Sequence, residues 1–233
     1  MSQPWNQPVR GAVKSIRGLG IAASILIGLS VLTTIASAWS DWFTYDVVAD
    51  YLDGAAGVTE ADLAAADSFA VATSLPEVLT VIAAGVVFIV WLWFARRNSE
   101  ILYGTAGHRR TTVWVGWGWF VPVVGLWFPY QVVQDVYRPS TRLPGTVVRW
   151  WWVALMAKIY LGQIVLRLYV GDDFAAANFR TIAVFSTLSA VLGVVAAVLV
   201  FRIVKQITEG QLVPVEAHIP IHYALADYPP ALG

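Results

Sequence analysis

The chain has 233 residues and no net charge, and 58% of it is hydrophobic against 13% charged, where soluble domains run near ~45–50% apolar and ~25% charged. That surplus excludes an ordinary soluble domain, because only a bilayer takes up so much apolar surface, and the balance of 15 basic and 15 acidic residues gives no case for a nucleic-acid partner. The chain has no cysteine, which excludes disulfides, thiolate nucleophiles and Cys-ligated metals.

Residues 1–17 read as a basic N-terminal tail. The first span is 18–39, without a charge. A basic lead and Ala36-Ser37-Ala38 raise a cleaved signal peptide as the alternative. The apolar run from Leu19 to Ala36 exceeds the ~7–15 residues of a signal core, so a retained span is expected. The segment from Ser40 to Ser74 carries acidic residues and no Lys or Arg. Within it Thr59 and Asp62 suit the start of a short helix over Glu60 to Ala72. Ser74 and Glu77 then form an S-x-x-E capping box for the second span, 75–94, with Pro76 in its first turn.

The segment 113–133 is apolar enough to cross but is broken by Gly116, Gly118, Pro122, Gly125 and Pro129. The third span is 150–170 and the fourth 181–201, completing a membrane domain over 18–205. The tail 206–233 contains Pro214, Pro220, Pro229 and Pro230 and reads as mostly irregular. If 113–133 does not cross, twelve basic residues fall on one side and Arg180 alone on the other, with Lys158 and Arg167 within the membrane. If it crosses, the split is eight against five. The positive-inside bias selects four spans with both termini cytosolic. Trp39, Trp42, Trp91, Trp93 and Trp150 to Trp152 sit at span ends, as headgroup anchors do. The fold class expected is therefore an all-α polytopic membrane bundle. The segment 113–133 is read as re-entrant, with a flat interfacial piece as the alternative. The few lysines and the Ala, Val and Gly excess point to a GC-rich bacterial genome, and with the spans to a bacterial cell membrane as the location.

Small residues recur at four-residue spacing: Gly20, Ser24 and Gly28 in the first span, and Ser189, Gly193 and Ala197 in the fourth. Such faces let helix backbones approach closely in lipid, within the bundle or between this chain and another. Lys158, Gln163, Arg167 and Glu77 are the intramembrane polar residues, each costly unless it has a reason. Tyr160, Gln163 and Arg167 share one face. Arg167 and Glu77 lie at similar depth and are expected to pair, with Asp172 or Asp173 as further partners for Arg167. Lys158 is expected to reach backbone carbonyls of the broken segment. Pro220 between His218 and His222 argues against a metal pair, and no Walker loop, nucleophile elbow or paired-carboxylate pattern is present. No catalytic, cofactor or metal residues are nominated.

The run from Trp117 to Gln131, followed by Asp135-Val136-Tyr137-Arg138 and Ser140, resembles the signature of an actinobacterial family of multi-span membrane proteins, domain of unknown function 4328. The pattern W-F-x-P-x-x-x-L-x-x-P-Y falls on Trp119, Phe120, Pro122, Leu126, Pro129 and Tyr130. Gly125 stands where the family pattern has Asn. The resemblance implies membrane topology and no activity. The candidate functional segment is Trp117, Trp119, Pro122, Trp127, Pro129 and Tyr130, because an irregular backbone at membrane depth needs support that a plain anchor does not. A non-enzymatic scaffold or regulator of a membrane partner is the leading reading, with membrane lipids and another membrane protein or a second copy as partners. A small transporter or channel and a lipid-acting enzyme are the alternatives. The retained first span predicts that the intact mass of the purified protein includes residues before Trp39. A mature start at Trp39 would show a signal peptide instead.

Overall fold

A computed structural model describes residues 12–171 and 175–212. The described residues are all-helical: α1 (Arg17–Leu52), α2 (Glu60–Tyr103), a single turn α3 (Trp114–Trp117), a 3-10 turn over Val124–Leu126, α4 (Phe128–Thr141), α5 (Thr146–Val170) and α6 (Ala176–Gly210). Four of these, α1, α2, α5 and α6, are long and apolar enough to cross a membrane. The segment 113–133 contributes no spanning helix.

The helices overrun the expected spans. α2 has 44 residues, roughly 66 Å at 1.5 Å per residue, so the short Ala-rich helix and the second span are one rod. Its start is where Thr59 and Asp62 place it. The Thr59 backbone N–H and hydroxyl both donate to Asp62 Oδ2 at 2.8 Å. Those bonds, the hydroxyl's foremost, hold the Asp62 carboxyl below the usual carboxylate range. The capping box at Ser74 and Glu77 does not form. Ser74 lies inside α2 and turns its hydroxyl back to the Val71 carbonyl, and Pro76 is accommodated within the helix. The Ala-rich turns before it are strong helix formers, and extending a formed helix is easier than nucleating a new one. At the far end of the chain, α6 is helical through Gly210, so irregular structure does not begin at Gln206. Residues 213–233, with His218 and His222, and residues 172–174, with Asp172 and Asp173, lie outside the described residues.

α2 packs on α1, α1 on α6 and α6 on α5 along their lengths, whereas α2 and α5 are not packed in this way. The small-residue faces make the close contacts. Gly20 is buried, and a Cβ there would meet Thr208, Val204 and the Trp91 indole nitrogen at 3.2–3.3 Å. Ser189, Gly193 and Ala197 are buried too. A Cβ on Gly193 would lie 3.0 Å from Cε of Lys158, whose stem runs across that glycine. Lys158 is thus laid along α6. It does not reach the broken segment; Trp152 Nε1 donates to the Leu126 carbonyl there at 2.9 Å instead.

The core sits at the arginine-rich end of the bundle. Trp91, Trp151 and Trp152 are buried there, so they are core residues and not headgroup anchors. Trp39 and Trp150 do face outward, at 73% and 59% exposure. Phe88 lies 5.5 Å from Trp91, 5.8 Å from Trp151 and 6.1 Å from Trp119, and Trp119 lies 5.9 Å from Trp152. This cluster ties α2 to α5 and to the broken segment at one end only. Ser68 is exposed near the acidic end and Thr105 at the arginine-rich end. In the cysteine-free chain, Ser68→Cys should react with an impermeant maleimide on intact cells, and Thr105→Cys only after lysis. The opposite pattern would invert the topology.

Candidate functional site

The motif-bearing segment is a built structure at the arginine-rich end. Trp117 and Phe120 are exposed, at 62% and 72%, as are Val123 and Leu126, and Pro122 lies in the turn between them. Trp127 precedes α4 and is partly open. Pro129 is buried in the first turn of α4, where a missing N–H costs nothing. Tyr130 accepts a hydrogen bond from Gln134 Nε2 at 3.0 Å. Val132, Val133 and Val136 are fully buried, so α4 packs on the bundle and the preceding turn offers an apolar tip.

Polar bonds fix this tip in place. Arg109 gives its backbone N–H and Nε to the two oxygens of Asp135, both at 2.8 Å, and its Nη2 to Gln134 at 2.9 Å. Arg110 donates to Gln131 at 2.8 Å and stacks on Phe128 at 3.8 Å. Arg96 donates to Glu100 and to the Arg110 carbonyl, and Thr112 also donates to Glu100. His108 meets the Ser99 hydroxyl at 3.1 Å. Burial, and then the charge of Arg96, hold the His108 imidazole below its ordinary pKa and so neutral near pH 7. The arginine-rich loop is thus an internal bracing network. Asp135 carries it, a residue that sequence reasoning placed in the motif without a role.

The second place is a groove of 720 Å³ at the acidic end, between the unpacked α2 and α5 and floored by α1 and α6. Glu77 accepts from the Thr34 hydroxyl at 2.8 Å. Asp41 accepts from Tyr169 and from Ser186. Asp67 and the hydroxyls of Ser37, Ser74 and Ser189 also line the groove, among apolar side chains such as Val78, Val165 and Leu166, and no basic side chain lines it. Lys158 lies beyond, within electrostatic reach of Glu77. The expected Arg167–Glu77 ion pair does not form: Tyr160, Gln163 and Arg167 are all exposed on the side of α5 that does not line the groove, which is lined by Gly162, Val165, Leu166 and Tyr169. Of the four intramembrane polar residues, Glu77 and Lys158 share a region, and Gln163 and Arg167 do not join them. Asp41, Thr34, Tyr169 and Ser186 were missed. A usable signal for the first two was their spacing of seven, which puts Thr34 and Asp41 on one face of a helix longer than the span.

No group of residues that could hold a metal ion occurs among the described residues. The groove brings carboxylates and hydroxyls together among apolar side chains, a lining that complements a cationic group. The bracing network predicts that Asp135→Asn lowers stability in detergent by about 2 kcal/mol, the usual scale for a hydrogen bond to a charged group. Lys205→Ala removes only an exposed contact to Glu209 at 4.0 Å and should change stability by less than about 0.5 kcal/mol. Thermal melts of the two variants check the pair.

No curated protein and no solved structure matches this chain. A family model does match, over residues 54–209. That range takes in α2 to α5 and nearly all of α6, together with the aromatic motif and Asp135, and leaves out α1. The family is described as a domain of unknown function. On a match spanning more than half its length, the chain belongs to the family of domain of unknown function 4328.

Proposed function

We propose that the protein is a non-enzymatic scaffold or regulator in a bacterial cell membrane, with both termini cytosolic, and that it receives a transmembrane helix of a partner protein between α2 and α5. The observation that carries this reading is the groove. Two spanning helices that flank it are pinned together at one end by Phe88 and Trp151 and stand apart at the other. The gap is lined by Asp41, Asp67 and Glu77 without a basic side chain. A partner helix with a Lys or Arg in the matching half complements that charge, and in lipid such a contact is favoured over an unpaired polar group.

A transporter reading draws on the same carboxylates. It fits less well, because the aromatic cluster of Phe88, Trp91, Trp151 and Trp152 packs the bundle below the groove with buried apolar rings. The lipid-enzyme reading rested on the arginine-rich loop, whose Arg96, Arg109 and Arg110 are engaged in the bracing network.

The test is photo-crosslinking in native membranes from Val78 and Leu166, which line the groove, with Val195 on the open face of α6 as control. The groove positions should give an adduct that Val195 does not. Glu77→Lys should remove it, and converting the basic residue of the identified partner helix to Glu should restore it. An adduct indifferent to Glu77→Lys, or equal from Val195, would sink the proposal. An adduct of twice the chain's own mass would make the occupant a second copy.

A further inference from the structure

The turn joining α4 to α5 holds a second, smaller cleft of 230 Å³, lined by Tyr130, Gln134, Arg138, Pro144, Gly145, Thr146 and Arg149. No carboxylate lines it. Its two arginines differ from those of the bracing network, though Arg142 in the same turn is likewise without a side-chain hydrogen bond among the described residues. Arg96, Arg109 and Arg110 have carboxylate, amide or carbonyl partners, but the guanidinium groups of Arg138 and Arg149 have no hydrogen bond or ion pair among the described residues. Arg138 and Arg149 are exposed at the mouth of this cleft, where they are open to an external anion.

The wall of the cleft is also short of an acceptor. Gln134 is 5% exposed. Its Nε2 gives one hydrogen to Tyr130, and its other hydrogen has no acceptor among the described residues. Gly145 makes room for that amide, since a Cβ there would lie 2.7 Å from Nε2. The Thr146 hydroxyl opens into the same space. α5 begins there without a side-chain cap and without an acidic residue in its first turn, and although the Thr146 N–H donates to the Pro144 carbonyl at 2.8 Å, the positive end of the helix adds to the field. Trp150 stands outward one residue beyond Arg149, at the start of a spanning helix, where indoles meet headgroups.

We propose that this cleft binds a phosphate group, bridged by Arg138 and Arg149 and contacted by Thr146 and Gln134. Guanidinium forks match phosphate oxygens two at a time. The position at the end of a span, beside Trp150, makes the headgroup of an anionic phospholipid the source, so that the α4–α5 turn is held to the membrane surface by a specific lipid and not only by bulk charge.

The experiment uses the full chain purified in a neutral detergent. Phosphatidylglycerol, phosphatidylcholine or inorganic phosphate is added, and retained lipid is read by native mass spectrometry alongside the thermal melt. Phosphatidylglycerol should be retained in preference to phosphatidylcholine and should raise the melting temperature. The Arg138→Gln/Arg149→Gln variant should bind it about a hundredfold more weakly, roughly tenfold for each of the two charge-assisted contacts removed. Arg202→Gln, an exposed arginine of α6 outside the cleft, should behave as native. Stabilisation by inorganic phosphate that the double variant lacks would uphold the cleft and make a free anion its ligand. Equal retention by native and double variant, or no preference for phosphatidylglycerol over phosphatidylcholine, would overturn the assignment. Should the double variant fail to fold, Thr146→Glu sets a carboxylate at the cleft mouth and carries the same comparison, with unchanged retention overturning the assignment.

Discussion

Three spanning helices meet where the Trp91 indole lies against Gly20. The indole N–H donates to Thr208 at 3.3 Å, and the missing side chain of Gly20 is what lets α1 come near enough. In a bilayer no water drives apolar faces together, so close backbone approach and satisfied polar groups must do the work of association. The contact supplies both. It fixes α1, α2 and α6 at one depth, and the neighbouring rings of Phe88, Trp151 and Trp152 then bring α5 to the same place. α2 and α5 meet each other only at this end and stand apart at the other. The acidic-end groove lies in that gap.

The two ends handle charge in opposite ways. At the arginine-rich end, Asp135 and Glu100 meet Arg109 and Arg96 internally, and Asn98 clasps the backbone of Lys14 through both its amide atoms. At the acidic end, Asp41 and Glu77 are met only by hydroxyls. Hydroxyls solvate a carboxylate without cancelling its charge, and Lys158 stands within electrostatic reach of Glu77 but outside the lining of the groove. The division gives the molecule a braced platform and a receptive cleft, joined by four helices.

Much of the architecture was legible because the bilayer imposes it. Uninterrupted apolar runs marked 18–39 and 181–201, and Pro122 and Pro129 marked the segment that does not span. The Thr59–Asp62 start was readable too, since capping is a local interaction. What escaped the sequence was non-local. Helices such as α2 project past the membrane, and hydropathy is silent about where they stop. Ser74 and Pro76 mimic a helix start, but a start is needed only if the preceding turns are not already helical. Trp91, Trp151 and Trp152 have the composition of headgroup anchors, and only tertiary packing makes them core. Arg167 and Glu77 share a depth, yet depth along a helix says nothing of the direction in which a side chain leaves it. Asp135 was visible in the motif, but its partner Arg109 lies 26 residues earlier, across a loop with no period to read.

Pro76 has a mechanical consequence. A proline inside a helix leaves one rung of the hydrogen-bond ladder unmade, at the carbonyl four residues before it. That soft rung falls within the wall of the groove, beside Ser74 and Glu77, and above the level at which Trp91 anchors the rod. Bending there moves the upper arm of α2 while the lower arm stays bolted. The weakened rung therefore lies in the groove wall and away from the aromatic base, so a bend at Pro76 would change the width of the groove without disturbing Phe88, Trp91 or Trp151.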